Sequence, residues 1–176
     1  MPRIPYLPVD LAEPREIVDA VRARRGGTLL NLDRLLLYSP ELAAGWNGYL
    51  GAVRTRLALS PKLRELAMCV VAVLNGAEYE FVHHAPVLLE AGGTQAQVDA
   101  LRDPDRAAAD TALFDETERA ALAVAIAMTR TVSVDDAAFE ALRARLPERE
   151  LVEFVATVAA YNMVSRFLVA FQVEPE

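Results

Sequence analysis

The strongest constraint on the fold is a punctuated apolar run. Ser60-Pro61 reads as a helix N-cap followed by proline at the first helical position, and Asn75-Gly76 reads as a stop. Between them Leu63, Leu66, Ala67, Val70, Val71 and Leu74 recur at the three-to-four spacing of one buried helical face. The segments Leu122 to Met128 and Leu151 to Phe167 repeat the habit, and no stretch sustains the alternation of a strand. The fold class expected is therefore all-α.

Other boundaries agree. Glu16 to Arg25 ends at Gly26-Gly27, and Ser39-Pro40 repeats the cap-plus-proline start. Thr94 with Gln97, and Asp115 with Glu118, have the spacing of capping boxes. Four prolines among residues 1–14 predict an extended N-terminal arm, suited to lie across a neighbouring subunit. Arg64-Glu65-Leu66 is echoed by Arg149-Glu150-Leu151, a short hint of duplicated hairpins. No long linker divides residues 1–176, so a single domain is expected.

Composition narrows the function. Eighteen basic against twenty-five acidic residues give a net charge of −7 with no basic stripe, which argues against nucleic acid. A 53% hydrophobic content and a mean hydropathy of +0.19 point to extra buried surface, most simply between subunits. The start of the chain does not read as a leader peptide. The apolar stretch Leu151 to Phe171 is interrupted by Glu153, Asn162, Ser165 and Arg166, so a cytoplasmic protein without a membrane span is expected. Cys69 is the only cysteine, which excludes a two-thiol redox cycle within one chain.

Ionisable residues gather in "NGAEYEFVHH", residues 75–84, which holds both histidines of the chain. Glu78 and Glu80 fall in a predicted first turn, where the helix dipole favours negative charge. Glu80 and His84 are four apart and share a helix face, where a carboxylate favours the protonated imidazole. Pro86 predicts a kink or restart just after the histidines. Glu65, one turn before Cys69 on the preceding helix, is brought toward Glu80 and His84 if the turn at Asn75-Gly76 folds the helices back to back. Two neighbouring carboxyl groups can hold one of them protonated near neutral pH. Asn162 and Arg166 form another pair four apart, and an arginine among apolar residues calls for a carboxylate partner, from Glu65, a neighbouring subunit or a substrate. Metal ligation by Glu80, His83 and His84 is disfavoured, since adjacent histidines diverge on a helix and no H-E-x-x-H or cysteine set is present.

Glu65, "NGAEYEFVHH" and "AAYNMVSRF" together resemble the carboxymuconolactone decarboxylase family, over about Leu30 to Phe171. The resemblance implies the helical fold shared with alkylhydroperoxidase D. In the peroxidase branch a glutamate is followed by a C-x-x-C pair, then by a histidine four residues after the second cysteine. Glu65 and His84 match, whereas Ala77 and Glu80 stand at the cysteine positions, which removes ordinary thiol peroxidase chemistry. The decarboxylase branch lacks the cysteines. That branch implies cofactor-free acid/base chemistry on a small carboxylated lactone or related organic acid, in a trimer or dimer of trimers. Its implied roles fall on Glu65, Glu80 and His84 as catalytic residues and on Tyr79, His83, Asn162 and Arg166 as substrate-binding residues. Which histidine faces the substrate stays open, as does a non-catalytic oligomer that only binds a small molecule.

Overall fold

In the computed structural model, which describes residues 1–176, every regular element is a helix. The chain divides into two compact units, one of residues 1–57 with 170–176 and one of residues 58–169.

The first unit holds α1 (Arg15–Arg25), α2 (Asn31–Leu36) and α3 (Pro40–Thr55). Gly26, at φ 77, ends α1 in the left-handed conformation anticipated from Gly26-Gly27. Asp33 is buried, and a buried carboxylate needs charged partners. Arg25 grips both its oxygens, at 2.9 and 3.1 Å, which ties α1 to α2. Residues 1–14 are non-helical as expected, and side chains and backbone of its own unit hold the arm. Arg3 N donates to Phe171 O at 3.0 Å, Tyr38 hydroxyl to Pro5 O at 3.1 Å, and Arg34 stacks over Tyr6 at 5.0 Å. Proline-rich backbone has no internal ladder, so local donors fix it.

The second unit contains α4 (Pro61–Leu74), α5 (Glu78–Glu90), α6 (Gln95–Ala100), α7 (Pro104–Ala109), α8 (Glu116–Thr131), α9 (Asp136–Arg143) and most of α10 (Glu148–Phe171). α4 is its centre and packs on both α5 and α8. Residues 65–72 are all buried, so α4 is enclosed on every side rather than on the single face its periodicity suggested. Cys69, one turn after Glu65, is buried with the rest.

Caps behave unevenly. Thr94 and Asp115 form the two anticipated capping boxes. Ser39 and Ser60 occupy N-cap positions without using their hydroxyls; the proline that follows each starts the helix by its fixed φ. After α4, Gly76 N bonds Val73 O at 3.1 Å and Ala77 N bonds Ala72 O at 2.8 Å, with Gly76 at φ 66. This paired closure needs a left-handed residue and turns the chain straight into α5. α5 does not restart at Pro86 but runs through it. Val82 and Pro86 are both exposed, so water can serve the carbonyl that the proline leaves without a donor.

α10 is long and apolar enough by length and composition to cross a membrane. Within the unit it acts as a core helix: Leu151, Phe154, Val158, Tyr161, Val164 and Leu168 form a buried stripe. Its polar residues are also engaged, as Glu153 accepts from Leu59 N at 2.8 Å and from Arg149 at 3.0 Å. In the echoed tripeptides the two glutamates differ, with Glu65 buried and Glu150 half-buried.

Candidate active site

The turn at Asn75-Gly76 lays α5 back against α4, and Glu65 of α4 meets His84 of α5. His84 Nδ1 lies 2.6 Å from Glu65 Oε2, with both side chains buried. Glu65 Oε1 accepts from Arg64 Nε at 3.2 Å, so one carboxylate holds an imidazole and a guanidinium on its two oxygens.

Burial pushes the Glu65 carboxyl up, but the hydrogen bond and charge of His84, with the charge and hydrogen bond of Arg64, outweigh it. The net position is below the usual carboxylate range. Glu65 is therefore not the carboxyl group held protonated by a neighbour. It is an anion, and an anion only accepts, which places a proton on His84 Nδ1. Nε2 is then the nitrogen that gains or loses a proton, the logic of a carboxylate-oriented imidazole.

Tyr161 of α10 sets the plane of the imidazole by an edge contact, centroids 4.9 Å apart at 87°. Glu80, one turn before His84 on α5, is also buried. Ser165 Oγ lies 2.9 Å from Glu80 Oε2 and 2.8 Å from Tyr161 O, so its single proton serves one acceptor or the other. The hairpin places the α4 carboxylate beside the ring, so the 2.6 Å contact to His84 Nδ1 comes from Glu65, on the helix before the one that carries Glu80.

His83 departs from the interior. Adjacent residues on a helix differ by about 100°, and His83 is half-buried, stacked on Tyr79 at 4.3 Å with Nδ1 2.6 Å from Tyr79 O. His84 is thus the histidine that joins the buried carboxylates. Asn162 is buried and serves structure: its Nδ2 donates to Thr129 Oγ1 and to Val158 O, each at 3.0 Å, and its Oδ1 accepts from Asn75 at 3.1 Å. Arg166 is exposed and donates to Asn162 O and Oδ1, both at 2.8 Å. It pairs with no carboxylate, because an exposed guanidinium keeps its hydration and does not require one. Glu78 is exposed as well, and is gripped by Arg102 at 2.6 and 2.8 Å.

Three site residues, Ser165, Tyr161 and Arg64, are not picked out by the sequence pattern. Ser165 reaches Glu80 from 85 positions away, which no local pattern announces. Arg64 adjoins Glu65 in the chain, and its place in Arg64-Glu65-Leu66 was the available signal.

Cys69 is fully buried, and burial raises its thiol well above the ordinary value. The charges of Glu65 and Glu80 raise it further, against a smaller opposing effect of Arg102. A neutral, enclosed thiol is a poor nucleophile. No three His, Cys, Asp or Glu side chains cluster as metal ligands.

Residues 40–125 match the model of the carboxymuconolactone decarboxylase family. No curated protein matches the chain. Among solved structures, an uncharacterized peroxidase-related protein from Silicibacter sp. TM1040 superposes with a TM-score of 0.81 at 22% identity, covering 99% of this chain and 94% of that one. The debrominase Bmp8, as a cysteine-to-alanine variant in complex with 2,3,4-tribromopyrrole, superposes with a TM-score of 0.83 at 19% identity, covering 100% and 94%. An uncharacterized peroxidase-related protein from Ralstonia eutropha JMP134, with an alkylhydroperoxidase AhpD core, gives a TM-score of 0.77 at 20% identity, covering 99% and 92%. Over residues 40–125, which include the α4–α5 hairpin that carries Glu65, Glu80 and His84, the chain matches the carboxymuconolactone decarboxylase family, and its helical fold is alkylhydroperoxidase-D-like.

Proposed function

We propose that the protein catalyses cofactor-free proton transfer on a small carboxylated lactone or related organic acid. The observation that carries this reading is the buried Glu65–His84 pair, 2.6 Å apart. Glu65 fixes the imidazole tautomer and stabilises the imidazolium that forms when Nε2 takes a proton.

In an isomerisation, Nε2 removes a proton from the carbon beside the substrate carbonyl. The electron pair moves into the carbonyl as an enolate, and the imidazolium returns the proton at another carbon. In a decarboxylation, CO2 departs, its bonding pair stays on the substrate carbon, and the imidazolium supplies the proton that the carbon takes up. Either route needs only groups that side chains provide. Glu80, held by Ser165, is the second carboxyl group at the site. The debrominase complex supports the substrate size, since a brominated pyrrole, like a butyrolactone, is a small five-membered ring.

The reading extends to a cytoplasmic homo-oligomer, a trimer or dimer of trimers. Val152, Met163 and Val169 support association of subunits, being exposed apolar residues on α10 at 68, 40 and 44%.

The test is a turnover screen of carboxylated lactones with the wild type and His84→Ala. His84→Ala should lose turnover by roughly a hundredfold or more while keeping its helical circular dichroism; a variant that retains turnover removes His84 from the mechanism.

A further inference from the structure

An acid/base pair explains proton movement but not how an anion settles beside two buried carboxyl groups, Glu65 and Glu80. Like charges repel strongly where water is scarce, so a cation must face the substrate. Arg166, the cation expected to do this, is occupied with Asn162 at the protein surface.

Arg64 stands where such a cation is needed. It is half-buried in the first turn of α4, its side chain only 12% exposed. Its one protein partner is Glu65, engaged through Nε alone at 3.2 Å. A guanidinium carries five N–H donors, so both terminal nitrogens keep theirs for something else. Those nitrogens form the planar fork that matches a carboxylate by two parallel hydrogen bonds. Because Arg64 and His84 sit on the two oxygens of one carboxylate, an anion held by the fork lies beside the imidazole that would work on it.

We propose that Arg64 is the anchor for a substrate carboxylate at this site. The proposal rests on the acid/base reading for its substrate, and it adds a restriction to that reading. A carboxylate held by a guanidinium is stabilised as an anion, which opposes its loss as neutral CO2. The group at Arg64 is therefore one that the reaction leaves in place, and any CO2 released comes from a second carboxylate nearer His84. Arg64 acts as a binding and positioning residue, while the proton moves through His84.

The test is binding of a saturated butyrolactone carboxylate and of its methyl ester by titration calorimetry, followed also through the ring NMR signals of the two histidines. The wild type should bind the acid and not the ester. Arg64→Gln should weaken acid binding by roughly ten- to hundredfold, the loss of a charged pair of hydrogen bonds. Arg64→Lys keeps a cation beside Glu65 and should fall between, because a point charge lacks the fork. Equal affinity of wild type and Arg64→Gln for the acid, equal affinity of acid and ester, or no binding of the acid to the wild type would each overturn the anchor. Turnover separates the two ideas. Arg64-dependent binding without any turnover keeps the anchor and removes the acid/base reading; turnover whose KM is unmoved by Arg64→Gln and Arg64→Lys does the reverse.

Discussion

His84 Nδ1 and Glu65 Oε2 are 2.6 Å apart although 19 positions separate them in the chain. The contact depends on one turn, the Asn75-Gly76 closure, which sets the phase of α5 against α4 so that His84, and not His83, faces inward. Replacing Glu65 tests what the pair does. In Glu65→Gln one oxygen becomes an NH2 group, which must face either Arg64 Nε or His84 Nδ1, a donor against a donor. If it faces the histidine, the ring is driven to the other tautomer. Turnover should fall by roughly a hundredfold or more, and stability by about 1–3 kcal/mol, read from kinetics and urea denaturation. An unchanged kcat would show that Glu65 only fills space.

The same carboxylate sets an acid limit on stability. Its folded-state position lies below the ordinary value of 4.5, so the unfolded chain binds a proton there more readily than the folded one. The stabilisation is fully present above about 4.5 and is lost as pH falls through the folded value. Urea midpoints measured downward from neutral pH should therefore drop below 4.5, and the drop should be smaller in Glu65→Gln. A variant with the wild-type acid slope would assign that slope to other carboxylates.

Much of this was legible in the sequence because it is local. The caps at Thr94 and Asp115, the stop at Gly76 and the long apolar faces of α4, α8 and α10 are set by residues within a few positions of each other. The helices α2, α7 and α9 are six, six and eight residues long, too short for a helical period to stand out in the sequence. Glu65 and His84 were legible through their family spacing. The orientation of the site was not: Ser165 and Tyr161 arrive from α10, and Arg166 turns outward where its position among apolar residues suggested burial. Those facts depend on how α10 is rotated, which is settled by tertiary packing.

A close approach at the end of α5 gives a purely structural prediction. Gly93 follows α5, and a Cβ there would lie 2.7 Å from Leu88 Cγ and 2.8 Å from Leu88 O. Leu88 is fully buried and its carbonyl accepts from Gly93 N at 2.8 Å, so neither group can retreat freely. Gly93→Ala should cost about 1–3 kcal/mol. Gly48→Ala, in the helix α3 with open space around the added carbon, should instead match or slightly exceed wild-type stability. Equal urea midpoints for the two variants would contradict the crowding at Gly93.

Cys69 decides how this chain relates to the peroxidase branch that its fold resembles. It sits one turn after Glu65 on α4, fully enclosed, with both neighbouring carboxyl groups disfavouring the thiolate. Ala77 and Glu80 stand where the branch has its cysteine pair, so no second thiol is available to resolve an oxidised first one. The native protein should therefore leave a water-soluble disulfide reagent unreacted, with one thiol appearing only on denaturation. Cys69→Ala should keep lactone turnover near the wild-type value and lose about 1 kcal/mol of stability from the vacated volume. Consumption of a hydroperoxide that stopped in Cys69→Ala would reverse this assignment, because it would require the buried thiol to reach solvent and ionise beside Glu65 and Glu80.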